Sequence, residues 1–122
     1  MRAGTYQRGT VPFAEINFSG SIGRKNRPVV VLSVNAFHQA GSKLIVAGLT
    51  SNISPPFRPG DTFIGDWAGA GLVKPSAMRG LVTTIDQNEV VRRLGRLSPA
   101  DFARVEQAVA DIMGLAVPSR NQ

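Results

Sequence analysis

Apolar positions along the chain change period several times, and each change predicts an element. Over residues 10–18, Val11, Phe13, Ile16 and Phe18 follow a mostly alternating pattern, so a strand is expected, with Pro12 marking an edge or a bulge and Glu15 as its one acid. Residues 29–34 open with Val29, Val30, Val31 and Leu32, an unbroken run that reads as a strand buried on both faces. Residues 35–42 are polar and read as a loop. A third strand is expected over 43–50, ending on the hydroxyl pair Thr50 and Ser51. Pro55, Pro56, Pro59 and Gly60 make residues 52–62 a long connecting loop, followed by the short apolar pair Phe63 and Ile64. Strand character returns over 72–78 and 81–85, Asp86 to Asn88 form a turn, and 90–97 alternate imperfectly around Arg92, Arg93 and Arg96. The period then becomes helical. Ser98 is an N-cap, Pro99 sits at the first helical position, and Asp101 is in the first turn. Phe102, Val105, Val109, Ile112 and Met113 share a face, and Gly114 is the stop.

These elements describe a mainly β chain with one C-terminal amphipathic helix packed on the sheet. Its 122 residues suit a single domain over 1–122, with 1–8 a loose lead-in and 116–122 a frayed tail. No apolar run reaches membrane-spanning length and residues 1–9 lack the hydrophobic centre of a signal peptide, so the expectation is a soluble, intracellular protein with no membrane partner. The absence of cysteine excludes disulfides, thiolate catalysis and Cys-based zinc sites.

Fourteen Lys and Arg against eight Asp and Glu leave a net charge of +6, which favours polyanionic partners, either nucleic acid or an acidic protein segment. The cations concentrate where Gly20 and Gly23 flank a turn carrying Arg24, Lys25 and Arg27. Pro28 holds the residue before it extended, so Arg27 should stand fixed at a strand mouth. A fixed guanidinium beside a basic turn can hold a phosphate, although a surface turn with solvated cations would show the same residues. His38, the single histidine, reads as exposed filler in its loop. Trp67 could stack a base, but in a Gly-rich loop it reads first as packing over the core edge.

The order of motifs resembles the MazF/PemK-like toxins of bacterial type II toxin–antitoxin pairs. The matching pieces are the first strand from Gly9 to Phe18, the Lys25, Arg27, Pro28 group leading into VVVLS, the Leu49, Thr50, Ser51 strand end, GLVKPS from Gly71 to Ser76, and LGRLSPAD from Leu94 to Asp101. The resemblance implies a small SH3-like β-barrel with a C-terminal α-helix, a cytoplasmic bacterial homodimer, and a metal-independent, cofactor-free endoribonuclease. Such an enzyme cleaves single-stranded mRNA at short sequences until a cognate antitoxin blocks the groove, and meets DNA only through that antitoxin. The family's recurrent catalytic pair falls on Arg27 and Thr50, with Ser51 beside them. Three positions depart from the family pattern: Thr10 follows Gly9 where an Asp is usual, and Ile22 and Ser76 stand where acids are common.

On this reading Arg27 stabilises the charge that develops on the phosphate, while Thr50 and Ser51 donate to it or orient the attacking hydroxyl. Arg24, Lys25, Lys74 and Arg79, together with Ser76, bind the RNA backbone. The missing acids leave the base that deprotonates the ribose hydroxyl unassigned. They also keep a rival in view: a non-catalytic binding protein, such as a gyrase-poisoning relative or a decayed toxin subunit. No metal site is expected.

Overall fold

The computed structural model describes residues 6–16 and 25–116. The basic turn's Gly20, Ile22, Gly23 and Arg24, and tail residues 117–122, lie outside the described residues.

Six strands form one antiparallel sheet: β1 (Thr10–Ile16), β2 (Lys25–Val31), β3 (Lys43–Thr50), β4 (Asp61–Phe63), β5 (Ala77–Asp86) and β6 (Val90–Arg96). Their spatial order is β4-β5-β3-β2-β1-β6, so the hydrogen-bonded ladder is open and β4 and β6 are its edges. Two helices complete the fold, α1 (Asn35–Gly41) between β2 and β3, and α2 (Pro99–Met113) at the end.

The central strands are buried on both faces, as their β-branched runs require. Val30 of β2 and Ala47 and Leu49 of β3 join Val11, Met78, Leu97 and Val105 of α2 in one cluster. The alternate residues Val29, Val31, Leu44 and Val46 join Tyr6, Ala14, Ile16 and Ile85 in a second cluster. This is the period of two expected of a strand whose sides both meet side chains. Pro12 sits at a register shift between β1 and β6, the bulge its missing N–H called for, though β1 has partners on both sides.

The segment between β4 and β5 draws the two sheet edges together. Ile64, Ala70 and Leu72 enter the first cluster, with Trp67 half-buried against it. The turn at Gly71 lies so close to β6 that a Cβ there would collide with the Leu94 carbonyl, and one on Gly95 would collide with that of Ala70. Gly71 also has φ +86°, so both sterics and backbone conformation demand glycine. Asp101, 2% exposed at the start of α2, accepts the backbone N–H groups of Gly65 and Asp66 at 2.9 Å each. Burial alone would raise its pKa, but these two bonds, Ser98 and the Arg104 guanidinium together hold it below the usual 3.8.

Several local expectations are revised. Residues 35–42 hold a two-turn helix rather than a loop, closed by Ser42 in the left-handed conformation with its N–H on the His38 carbonyl. No side chain caps its start, which removes the usual signal in the sequence. Residues 72–76 are irregular, and the strand begins at Ala77 and runs unbroken to Asp86, accommodating Gly80 at φ +74° in a bulge opposite β3. Asp61–Phe63 pairs as β4, shortening the loop before it. Order starts ahead of Gly9: Tyr6 is buried, and Arg8 donates to the Leu32 carbonyl at 2.8 Å and pairs with Glu106 at 2.6 Å. The helix start and stop match expectation, Ser98 capping the Asp101 N–H and Gly114 ending the helix at φ +70°. Ile112 packs against Gly60 and Gly80, whereas Met113 is exposed.

Candidate active site

β2 and β3 are antiparallel, and their last ladder pair at one end is Val29 with Gly48. Two residues further on each strand are Arg27 and Thr50. The strands part there, and the opening is a cleft of about 340 Å³. Its walls are Phe13 of β1, residues 25–28 of β2, Leu49 to Ser51 at the end of β3, and Leu72, Val73, Lys74 and Ser76 from the segment before β5. Leu49 and Leu72 make an apolar floor continuous with the first core cluster.

Six of the residues singled out in the sequence therefore meet on one cleft: Arg27, Thr50, Ser51, Lys25, Lys74 and Ser76. Arg27 is half-buried within β2, registered against Ala14 of β1, and its guanidinium has no hydrogen bond or ion pair among the described residues. Lys25 and Lys74 are exposed and likewise without an ion-pair partner there. The Thr50 hydroxyl accepts the Asn52 N–H at 3.0 Å, which leaves its own proton available to a ligand. Ser51 is exposed beside it. The result is a pocket rich in donors, with cations held by the fold but not neutralised by it.

Ser76 and Arg79 behave differently from the other candidates. Ser76 is buried and donates its hydroxyl to the Lys74 carbonyl at 2.9 Å, so it shapes the Lys74 turn and retains only acceptor capacity toward the cleft. Arg79 does not line the cleft. It pairs with Asp61 at 2.7 Å, donates to the Ser54 carbonyl at 2.7 Å, and lies 5.6 Å from the Phe57 ring centroid. Its donors are directed at β4 and the loop before it, and the expected RNA contact has no support in this placement. His38 is no surface filler either. It is 3% exposed, and its Nε2 lies 2.6 Å from Ser33 Oγ, which also accepts the Ile45 N–H at 2.9 Å. Burial holds its pKa below 6.5. This network sits at the far end of the β2–β3 pair from the cleft.

Asn26, Val73 and Phe13 are among the wall residues that the sequence did not single out for the site. Phe13 shows there only as an apolar strand position, and nothing local distinguishes it from a core residue. Among the described residues, no carboxylate lines the cleft. The nearest acid in the strand pattern is Glu15, registered opposite Asn26. Among the described residues, no three His, Asp or Glu side chains cluster as metal ligands would.

Comparison with known proteins assigns this architecture. An endoribonuclease from a mycobacterial species superposes with TM-score 0.72 at 20% identity, covering 97% of this chain and 98% of that one. A mycobacterial endoribonuclease in complex with its cognate antitoxin gives 0.71 at 21% identity, with 97% and 100% covered. A MazE–MazF structure from Deinococcus radiodurans gives 0.68 at 20%, with 90% and 96% covered. These likenesses establish the shared fold. No curated protein sequence matches the chain. The sequence profile of the PemK-like, MazF-like toxins of type II toxin–antitoxin systems matches residues 7–113. With a match over nearly its whole length and the same fold in those solved structures, the chain belongs to the PemK-like, MazF-like toxin family.

Proposed function

We propose that the protein is an endoribonuclease that cuts single-stranded RNA in the Arg27 cleft, and that a cognate antitoxin silences it there. The observation that carries this reading is a half-buried guanidinium without a partner among the described residues, on the same cleft as Thr50 and Ser51. An arginine left unneutralised beside two hydroxyl donors suits an anion supplied from outside. Structural relatives described as endoribonucleases, one of them bound to its antitoxin, support the same assignment.

The RNA supplies the nucleophile. Its 2′-hydroxyl attacks the adjacent phosphorus, the 2′ oxygen–phosphorus bond forms, and the bond to the 5′ oxygen of the next nucleotide breaks. The 2′ proton passes to solvent and the departing 5′ oxygen takes one up, leaving a 2′,3′-cyclic phosphate and a 5′-hydroxyl. Negative charge grows on the non-bridging oxygens during attack. Arg27 faces that charge from a fixed strand position, and a preorganised donor of this kind contributes about 3 kcal/mol of barrier lowering. Thr50 and Ser51 donate to the same phosphate or orient the 2′-hydroxyl, and Lys25 and Lys74 hold the neighbouring backbone. Cleavage is expected to need no metal, because the described cleft walls carry cations and no carboxylate or imidazole that would hold a divalent ion. Sequence preference lies with the loops around the cleft.

The antitoxin is expected to place an acidic, unfolded segment along the same cations and to exclude RNA by competition. The protein is expected to act as a homodimer: edge strand β4 exposes Phe63, whose ring packs against exposed Phe57 at 5.5 Å, an apolar pair suited to a second copy. Light scattering at micromolar concentration should give twice the chain mass.

The lack of a carboxylate among the described residues of the cleft favours one rival, a toxin-like binder without catalysis. Incubation with a long single-stranded RNA in EDTA, followed by end mapping, separates the two. Discrete cuts ending in cyclic phosphate support the enzyme, and intact RNA that nevertheless binds supports the binder. A substrate with 2′-deoxyribose at the cut site should bind and stay whole.

A further inference from the structure

β6 is an edge strand: its backbone pairs with β1 on one side and, among the described residues, with no strand on the other. It carries Arg92, Arg93 and Arg96, and the β1 residues registered against it, from Thr10 to Ala14, include no acid. None of the three arginines forms an ion pair with a described residue.

Arg92 is the link to the cleft. It is registered opposite Phe13, and its guanidinium carbon lies 4.9 Å from the centroid of the Phe13 ring. Phe13 is itself a wall of the cleft. The guanidinium is thus held on a cleft-wall residue, one face covered by the ring and the other exposed. Stacking restricts the side chain without using its N–H donors, so the donors stay available and less conformational freedom is lost when they bind. Arg96 follows four residues on, beyond the register shift between Val11 and Pro12; it is registered against Thr10, on the other face of β1 from Phe13, and is steadied by the Gln7 side-chain oxygen at 3.1 Å. Both arginines are exposed along this edge strand, Arg92 beside the cleft wall and Arg96 towards the other end.

We propose that this edge is a second RNA-backbone site, in which Arg92 and then Arg96 bind phosphates of the strand flanking the one in the cleft. The inference rests on the reading of the cleft as an RNA site and extends it from a single phosphate to a track. Single-stranded RNA fits better than an acidic protein segment because the Arg92 guanidinium, held at the Phe13 ring, offers planar donors to a phosphate beside an aromatic wall on which a base can stack.

The test uses purified full-length protein and two mixed-sequence 2′-O-methylated RNA oligomers, of five and fifteen nucleotides, which lack the attacking hydroxyl and cannot be cut. Affinity is read by fluorescence anisotropy across a salt series. The Arg92→Ala protein should bind the fifteen-mer about fivefold more weakly, with the slope of log affinity against log salt reduced by about 0.7, the share of one phosphate on a single strand. The five-mer, which offers fewer phosphates beyond the cleft, should change by less than half as much. Arg92→Glu should deepen the fifteen-mer loss, and Arg92→Lys should keep the salt slope. Thermal midpoints, measured in parallel, should agree across the set. Equal losses on both oligomers, or an unchanged salt slope, would overturn the track even if the wild type cuts RNA. So would a variant that keeps its fifteen-mer affinity yet binds a poly-glutamate peptide more weakly, which would reassign the edge to a protein partner. A wild-type protein that neither binds nor cuts RNA would instead remove the reading of the cleft, and the track with it.

Discussion

Arg27 and Arg79 are the same side chain in opposite circumstances. Arg79 is closed in: its side chain is 15% exposed, its partner Asp61 is 7% exposed, and the Ser54 carbonyl and the Phe57 ring complete its surroundings. Arg27 is half-buried, fixed by the β1 and β2 backbone, and has no partner in the described chain. A buried pair such as Arg79 with Asp61 leaves a strongly unfavourable charge if one member is removed. A cation anchored by the backbone and facing solvent leaves nothing behind when it is removed, so the folded protein loses only what that cation does to a ligand. Structural and functional arginines therefore separate by the measurement that responds to their loss.

The sharpest way to break this comparison is Arg79→Ala. It should lower unfolding free energy in urea by about 3 kcal/mol, by stranding the Asp61 carboxylate, while the folded fraction still cuts RNA. A stability change below about 0.5 kcal/mol would show that the pair is ornamental. Arg27→Ala should do the reverse. Cleavage should slow at least thirtyfold, about 2 kcal/mol of transition-state stabilisation, with a much smaller loss of RNA affinity and an unmoved urea midpoint. Equal falls in binding and rate would mean that Arg27 only holds substrate.

Asp101 extends the structural side of the contrast. Asp101→Asn keeps its shape but turns one acceptor oxygen into a donor facing a backbone N–H, and should cost about 2 kcal/mol. The native carboxyl has a lowered pKa, so its contribution is fully present above 3.8, the unfolded value, and is lost as pH falls through the folded one. Acid unfolding of the wild type below pH 3.8 should therefore be steeper than that of the variant. Thr50→Val should slow cleavage by about five- to tenfold, less than the Arg27 change because Ser51 lies beside it.

The smallest effect belongs to His38. Its folded pKa is depressed by burial, so the unfolded chain takes up a proton more readily. Stability is complete above 6.5 and declines as pH falls below it. A His38→Gln protein should lose that slope between pH 6.5 and 5 in thermal melts, while the Arg27 cleft at the other end of the strands keeps its RNA affinity.

Much of the molecule can be read along the chain because its signals are local. The unbroken valines of β2, the hydroxyl, proline and acid that start α2, and Gly114 that ends it each state their conformation without outside help. The hydroxyls after Leu49 could likewise be picked out as strand-end chemistry, whereas Arg27, expected at a strand mouth, lies inside β2 because residues 25–28 pair with β1. That these residues face one cavity depends on the antiparallel register of β2 and β3, a pairing between segments that no local signal encodes. Tertiary structure alone decided the fate of side chains whose partners lie far away in sequence. Arg79 went to Asp61, Ser76 to its own turn, His38 to a buried hydroxyl, and Phe13 to the cleft with Arg92 stacked upon it. Residue type states what a group can bond, whereas burial and register determine which partner is within about 3 Å of it.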